Sequence, residues 1–172
     1  SRGLGDVYKR QPRIRTCSVH SYNNYFDGNA KYGVGVTMGA SAFVENNYFR
    51  NCKDPMMSSG QGTDALGEGT FSGEPGGIIK AYNNVIVGAS SYIPYAENNT
   101  SFDAYEVSSP SETIPSSVTA LSGGSTYNNF DTDSSIMYSY TADAPEDVPS
   151  IVTAHAGRVD GGDFQWKFDN AV

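Results

Sequence analysis

Short strand-like segments that are rich in apolar residues recur in the first half of the chain, and three of them contain an Asn-Asn pair. These segments are SVHSYNNYF at 18–26, SAFVENNYF at 41–49 and GIIKAYNNVI at 77–86. The pairs begin at Asn23, Asn46 and Asn83, so the first interval is 23 residues and the second is 37. The extra 14 residues correspond to a Gly/Ser-rich insertion at 53–76. The pattern predicts a repeating unit of a strand, a bend at the Asn pair and a second short strand.

Asparagine suits such a bend because it adopts the left-handed backbone conformation more readily than most other non-glycine residues. An asparagine that recurs in every unit can also hydrogen-bond to those above and below it. One unit cannot bury its own apolar face, whereas stacked units bury a continuous one. The sequence therefore predicts an all-β parallel β-helix, and a β-sandwich with Asn pairs that recur by chance is the alternative. The expected inward residues are Val19, Phe43, Val44, Ile78 and Ile79.

The second half of the chain has a different pattern. Residues 98–126 are rich in Ser, Thr, Pro and Asn, which predicts a long surface loop or strap instead of further coils. A fourth Tyr-Asn-Asn-Phe at 127–130 has no convincing strand before it. The segment from Pro149 to Gly157 predicts a short helix that ends at the glycine. We therefore expect coils over about 12–90 and a loop or strap over about 91–172, whose tail would cap the open end of the stack.

Composition narrows the class of partner. Hydrophobic residues make up 38% of the 172 residues and charged residues only 17%. Gly, Ser, Asn, Thr and Tyr take the place of charged residues. That balance favours turns and strands over helices. The formal net charge of −8 argues against nucleic acid and anionic membrane surfaces as partners, because both require a basic face. No apolar run is long enough to span a membrane, and the chain is expected to be a monomer.

The two cysteines, Cys17 and Cys52, have no metal-ligand spacing and form no disulfide framework. They can pair with each other, but we favour the interpretation that both are small buried apolar residues.

The first eleven residues resemble a translated sequencing adapter, and we exclude 1–11 from the fold as an expected artefact. On this interpretation, 12–172 is the C-terminal part of a single domain whose natural start is missing.

Basic residues cluster in the sequence Arg10-Gln11-Pro12-Arg13-Ile14-Arg15. If this segment is extended, Arg13 and Arg15 lie on one face, and Pro12 restricts the backbone between Arg10 and the other two. Guanidinium groups match carboxylates in a two-point geometry, so the cluster indicates an anionic ligand. The alternative is a solvated charged edge that protects a strand from aggregation.

This motif, followed by Val19-His20-Ser21-Tyr22-Asn23-Asn24, resembles the signature of the family 1 polysaccharide lyases, the pectate and pectin lyases. The sequences at 44–49, 54–55 and 80–84 fit as well, so the resemblance covers 12–90 well and 127–157 loosely. It implies a right-handed parallel β-helix. It also implies cleavage of de-esterified polygalacturonate by β-elimination with calcium.

In such enzymes the first arginine of the motif takes the proton from C5 of the galacturonate next to the scissile bond. The last arginine binds a substrate carboxylate. The resemblance therefore implies Arg10 as the catalytic residue, by motif position only because it lies in the adapter-like segment, with Arg13 and Arg15 as substrate-binding residues. Arginine has a reference pKa of about 12.5 or more. A basic Arg10 thus requires surroundings that disfavour its charge, such as Arg13, Arg15 and bound calcium.

The resemblance implies Ca²⁺ as cofactor, with ligands that lie upstream and are absent from this chain, so no metal ligand is expected here. We expect Asp64, Glu68 and Glu74 to keep the insertion loop soluble. His20 aligns with a family histidine, and within a strand it is expected to be packed and hydrogen-bonded instead of acting as a base.

The resemblance implies polygalacturonate or pectin as the partner and a secreted or extracellular location. Two alternatives stay open: a calcium-independent pectin lyase that acts on methyl-esterified polymer, and a non-catalytic β-solenoid that binds cell-wall glycan. Because the chain lacks half of the expected cleft, we expect it to have no lyase activity by itself.

Overall fold

A computed structural model describes residues 12–67, 71–88 and 91–155. Arg10, and with it the predicted catalytic position, lies outside the described residues, as do Glu68 and Gly157. The described part contains ten strands: β1 (Arg13–Arg15), β2 (Ser18–Tyr22), β3 (Tyr25–Asp27), β4 (Tyr32–Thr37), β5 (Ser41–Glu45), β6 (Tyr48–Arg50), β7 (Asp54–Ser58), β8 (Ile78–Tyr82), β9 (Val85–Val87) and β10 (Tyr105–Glu106). It also contains α1 (Thr63–Leu66), a 3-10 turn (Phe130–Thr132) and α2 (Val148–His155).

The strands form three sheets, ordered β1-β4-β7, β10-β8-β5-β2 and β3-β6-β9. Every pair between named strands is parallel. Successive coils each add one strand to a sheet, and the repeat sets the register: Ser18 pairs with Ser41, which pairs with Ile78. This arrangement is a parallel β-helix, which confirms the predicted all-β solenoid.

The two asparagines of each pair have different structural roles. The first adopts the left-handed conformation that turns the corner, with φ of 52° at Asn23, 49° at Asn46 and 47° at Asn83. The second forms a ladder along the stack. The backbone N–H of Asn24 donates to Oδ1 of Asn47 over 2.9 Å, and the backbone N–H of Asn47 donates to Oδ1 of Asn84 over 3.0 Å. The predicted bend and stacking are therefore both present.

A continuous apolar cluster fills the space inside the coils. It includes Ile14, Val34, Val36, Ala42, Val44, Phe49, Met56, Ile79 and Ala81. Val44 and Ile79 are thus inward, as predicted, and Val19 is half-buried against the same cluster.

The prediction that Phe43 and Ile78 point inward is wrong, although both are buried. They alternate along their strands with the inward residues and therefore lie on the outer face of the sheet. There they pack with Phe102, Ile114 and Val118 from the second half of the chain. Full burial of a side chain of this size contributes about 1.5–3 kcal/mol. The strap is therefore fastened to the coils by a second apolar core.

The strap also carries polar contacts back toward the first coil. Nε2 of His20 lies 2.8 Å from Oε1 of Glu45, and Nδ1 of His20 lies 3.0 Å from the hydroxyl of Tyr138. Tyr140 donates its hydroxyl to the same Glu45 carboxylate. Further along, the carbonyl of Asp143 accepts hydrogen bonds from the side chains of Asn23 and Asn46. His20 is therefore packed and hydrogen-bonded, as expected, and it helps to hold the strap.

The predicted short helix is present as α2, which begins one residue earlier than expected and is described as far as His155.

Both cysteines are free of disulfide bonds. Cys52 is buried but Cys17 is exposed, so the expectation of burial is wrong for Cys17. Within the described ranges, no helix combines the length and apolarity needed to cross a membrane.

Candidate functional site

Arg13 and Arg15 project from the outer face of β1. The residue between them, Ile14, is only 4% exposed and belongs to the interior cluster. Because side chains alternate along a strand, burial of Ile14 places both guanidinium groups on the opposite, solvent-facing side. The predicted placement of the two arginines on one face is therefore correct. Their partners in register on β4 are Gly35 and Thr37.

Glu74, from the insertion loop, joins the two arginines. Its Oε2 lies 2.7 Å from Nη2 of Arg13, and its Oε1 forms an ion pair with Nη2 of Arg15. The three side chains stay partly accessible, with 35% of Arg13, 51% of Arg15 and 25% of Glu74 exposed. Two cations and one carboxylate leave a formal excess of one positive charge. The cluster therefore retains an electrostatic attraction for a further carboxylate.

The backbone of Glu74 is fixed by the loop around it. Its N–H donates to Oγ of Ser72 over 3.1 Å, and its carbonyl accepts from Oγ of Ser59 over 2.8 Å. The next residue is tied to the coils, since the carbonyl of Pro75 accepts from the N–H of Met38 over 2.6 Å. These contacts place the base of the Glu74 side chain beside β1.

Asp64 organises the same loop from within. Its side chain is buried, and its two oxygens accept hydrogen bonds from the backbone N–H groups of Gly60 and Phe71. The expectation that Asp64 and Glu74 merely keep the loop soluble is therefore wrong. Asp64 closes the loop, because a buried carboxylate is tolerated only where donors satisfy it. Glu74 binds the two arginines.

Phe71 lies beneath the guanidinium of Arg13. The Arg13 Cζ atom is 5.5 Å from the centre of the Phe71 ring, a distance typical of a cation–π contact. Phe71 packs edge-on against Tyr32, with ring centres 4.6 Å apart. Both rings require a glycine at position 35, since a Cβ atom there would lie 2.6 Å from Phe71 and 2.7 Å from Tyr32. The aromatic pair thus supports Arg13 from one side.

Thr37, the register partner of Arg15, is fully buried, and its hydroxyl has no hydrogen-bond partner among the described residues. It lies on the same outer face as Arg15, by strand alternation, and its backbone forms a bridge to Gly76 at the end of the insertion loop.

A second buried carboxylate connects the loop to the strap. Asp103 is fully buried and accepts hydrogen bonds from the backbone N–H and hydroxyl of Thr63 and from the N–H of Ile93. Burial raises the pKa of Asp103 to about 6, and the hydrogen bonds from Thr63 and Ile93 oppose that rise. Asp103 therefore ties α1 to the strap.

Calcium prefers six to eight oxygen ligands, several of them carboxylates. Among the described residues, no group of three or more His, Cys, Asp or Glu side chains is arranged to hold a metal ion. Asp64 and Asp103 already accept hydrogen bonds from N–H groups. The residues at this site therefore do not fit a calcium site of their own.

The structure thus brings Arg13 and Arg15 together, while Arg10 lies outside the described residues and His20 serves the strap. Sequence reasoning missed Glu74 as a partner of the arginines and Phe71 as the support of Arg13. Glu74 is separated from Arg13 by 61 residues, so no local pattern relates the two.

A family model described as "Pectate lyase" matches residues 4–160. Among curated proteins, pectate lyase 3 of Pectobacterium atrosepticum is 26% identical over 152 residues, 88% of this chain and 34% of that protein. A pectate trisaccharide-lyase of Bacillus licheniformis is 42% identical over 53 residues, 31% of this chain and 16% of that protein. The chain therefore spans about a third or less of the length of these relatives. No solved structure matches at a comparable level.

Proposed function

Because the chain belongs to the pectate lyase family, we propose that it supplies carboxylate-binding arginines to a lyase that cleaves α-1,4-polygalacturonate by β-elimination. The observation that carries the proposal is the pair Arg13 and Arg15 on one accessible face of β1. Guanidinium groups bind carboxylates through two parallel hydrogen bonds, and a polyuronate presents one carboxylate on every sugar. The role that follows is in pectin catabolism.

In this proposal Arg15 binds the carboxylate of the galacturonate that reacts, and Arg13 strengthens the positive potential beside it. Removal of the C5 proton moves negative charge onto that carboxylate, and a fixed guanidinium stabilises the charge as it develops. The electron pair then forms a double bond between C4 and C5, the bond from C4 to the glycosidic oxygen breaks, and that oxygen takes a proton from water. By motif position, the residue that removes the C5 proton is Arg10.

Free uronate substrates suit this site better than methyl esters. A substrate carboxylate can replace one of the ion pairs that Glu74 makes with the arginines, whereas a neutral ester gains no Coulombic attraction from the guanidinium groups. The two arginines therefore favour a pectate lyase over a pectin lyase. They also favour a uronate-specific site over a general glycan-binding surface.

The described residues do not fit a calcium site, so the proposal assigns the calcium that the family resemblance implies to another part of the enzyme. A polymeric substrate of the plant cell wall also suits a secreted or extracellular enzyme, which we propose to act as a monomer.

The test uses an enzyme of the relatives' length that contains this chain. We expect unsaturated product, measured by its ultraviolet absorbance, from polygalacturonate with calcium, and loss of that product with chelator. Activity on methyl-esterified pectin that survives chelator would instead support the pectin lyase alternative. If neither polymer gives product but the protein still binds polygalacturonate, the non-catalytic solenoid is correct.

A further inference from the structure

We propose that Glu74 is an internal competitor for external carboxylates, holding Arg13 and Arg15 until a carboxylate of the substrate displaces it. As far as the substrate is concerned, this inference rests on the proposed function. Glu74 is then a specificity-determining residue, because only an anion with enough contacts of its own binds at the arginines against this competition.

The geometry of the cluster is that of an occupied carboxylate site. Each oxygen of Glu74 serves one arginine, with Oε2 on Arg13 over 2.7 Å and Oε1 on Arg15. A uronate carboxylate presents the same two oxygens, so it can form the same bonds only where Glu74 has left at least one guanidinium. The partial exposure of all three side chains allows that exchange without opening the core.

The loop fixes the backbone of Glu74 but not its carboxylate. The N–H and carbonyl of Glu74 are held by Ser72 and Ser59. The described contacts of the carboxylate itself are with the two arginines. Rotation about the side-chain bonds can therefore release the carboxylate while the loop stays in place. Glu74 is thus built to return to the arginines whenever the external anion leaves.

An internal competitor lowers the affinity of every external carboxylate that needs the arginines by the same factor. Glu74 is tethered beside the arginines, so a small monovalent anion must compete with its high local concentration. A polyuronate carries further carboxylates and sugars, and any of them that contact the enzyme beyond the arginines offset this loss of affinity. The arrangement therefore favours the polymer over short acids and small anions. It also favours release of the polysaccharide from the arginines once the polymer is cut into short products.

The test measures binding to the 172-residue chain by NMR, following the guanidinium resonances of Arg13 and Arg15. The probes are acetate, as a bare carboxylate, and trigalacturonate, as a short uronate. Glu74→Gln keeps the shape but removes the charge. Glu97→Gln removes one exposed carboxylate from the strap and is the matched control for net charge. Glu74→Asp keeps the charge on a shorter side chain and guards against a folding defect specific to the amide.

We expect Glu74→Gln to bind both probes about fivefold more tightly, the size of an exposed ion pair worth about 1 kcal/mol. Glu97→Gln should match the unmodified chain, and Glu74→Asp should lie between the two. Acetate affinity that is equal or weaker in Glu74→Gln would overturn the proposal, whatever trigalacturonate does. Tighter acetate binding with no binding of trigalacturonate by any form would retain the internal competitor and reject the proposed substrate.

Discussion

The ammonium group of Lys80 lies 2.6 Å from a carboxylate oxygen of Asp131, and neither side chain is exposed to solvent. Lys80 also donates to the carbonyl of Pro110, and Tyr127 donates its hydroxyl to the other oxygen of Asp131. The pair joins the outer face of β8 to the strap. A buried ion pair contributes little net stability when it is complete, but removal of one partner leaves an uncompensated charge.

We therefore expect Lys80→Met to lower the free energy of unfolding by about 3–5 kcal/mol, measured by denaturant titration. Lys80→Met combined with Asp131→Asn should recover part of the loss, because no buried charge is then unpaired. Lys31→Met, at an exposed lysine, is the control and should change stability by about 0.5 kcal/mol or less. Equal effects of Lys80→Met and Lys31→Met would show that the strap does not depend on this pair.

The asparagine ladder should be strongest at its centre. Asn47 is fully buried, and its side-chain amide donates to the carbonyls of Ser21 and Glu45, each over 2.9 Å. Asn47→Ala leaves those groups without their donor, so we expect a loss of about 2–4 kcal/mol in the free energy of unfolding. Asn24→Ala removes an exposed asparagine from the same ladder and should cost less than half as much. Thermal and denaturant unfolding of the two variants tests the order, and an equal or larger loss for Asn24→Ala would contradict it.

Asp103 should make stability depend on pH. Burial raises its pKa in the folded protein to about 6, above the ordinary aspartate value of 3.8. The folded state therefore binds the proton more tightly than the unfolded state, so the contribution of this group is greatest below about pH 4 and is lost as pH rises to about 6. Between about pH 4 and pH 6 we therefore expect the unmodified chain to lose on the order of 2 kcal/mol of unfolding free energy relative to Asp103→Asn.

Carbon-detected NMR of the Asp103 carboxyl group checks its pKa directly. A midpoint near 4, together with a difference in stability that is the same at pH 4 and pH 6.5, would show that the three hydrogen bonds outweigh burial.

Arg15 should dominate the activity of the enzyme that contains this chain. We expect Arg15→Ala to lower kcat/KM on polygalacturonate about 100-fold or more, because in the proposed mechanism Arg15 is the donor that stabilises the developing charge. Arg15→Lys should restore little of it, since an ammonium group cannot form the two-point contact. Rates of ultraviolet-absorbing product give the comparison. Unchanged kcat/KM in Arg15→Ala would remove the arginine from the proposed mechanism.

The repeat of 23 residues and its Asn pairs were sufficient to predict the coils. These signals are local: left-handed corners belong to asparagine itself, and the strand on each side follows from a few neighbouring residues. The alternation of side chains along a strand also predicted that Arg13 and Arg15 lie on one face. The strap was recognisable as a region because its composition differs from that of the coils, and the helix near Val148 because its pattern is local as well.

What the tertiary structure decided is which face each buried residue occupies and what the charged residues bind. Phe43 and Ile78 are buried on the outer face because the strap covers it, and a strand that is buried on both faces gives no alternation from which to tell inside from outside. Glu74 meets Arg13 and Arg15 only because the insertion loop folds back across β4 and β7 to reach β1. A contact between residues so far apart depends on the path of the whole chain, whereas a bend or an alternating strand depends only on its nearest neighbours.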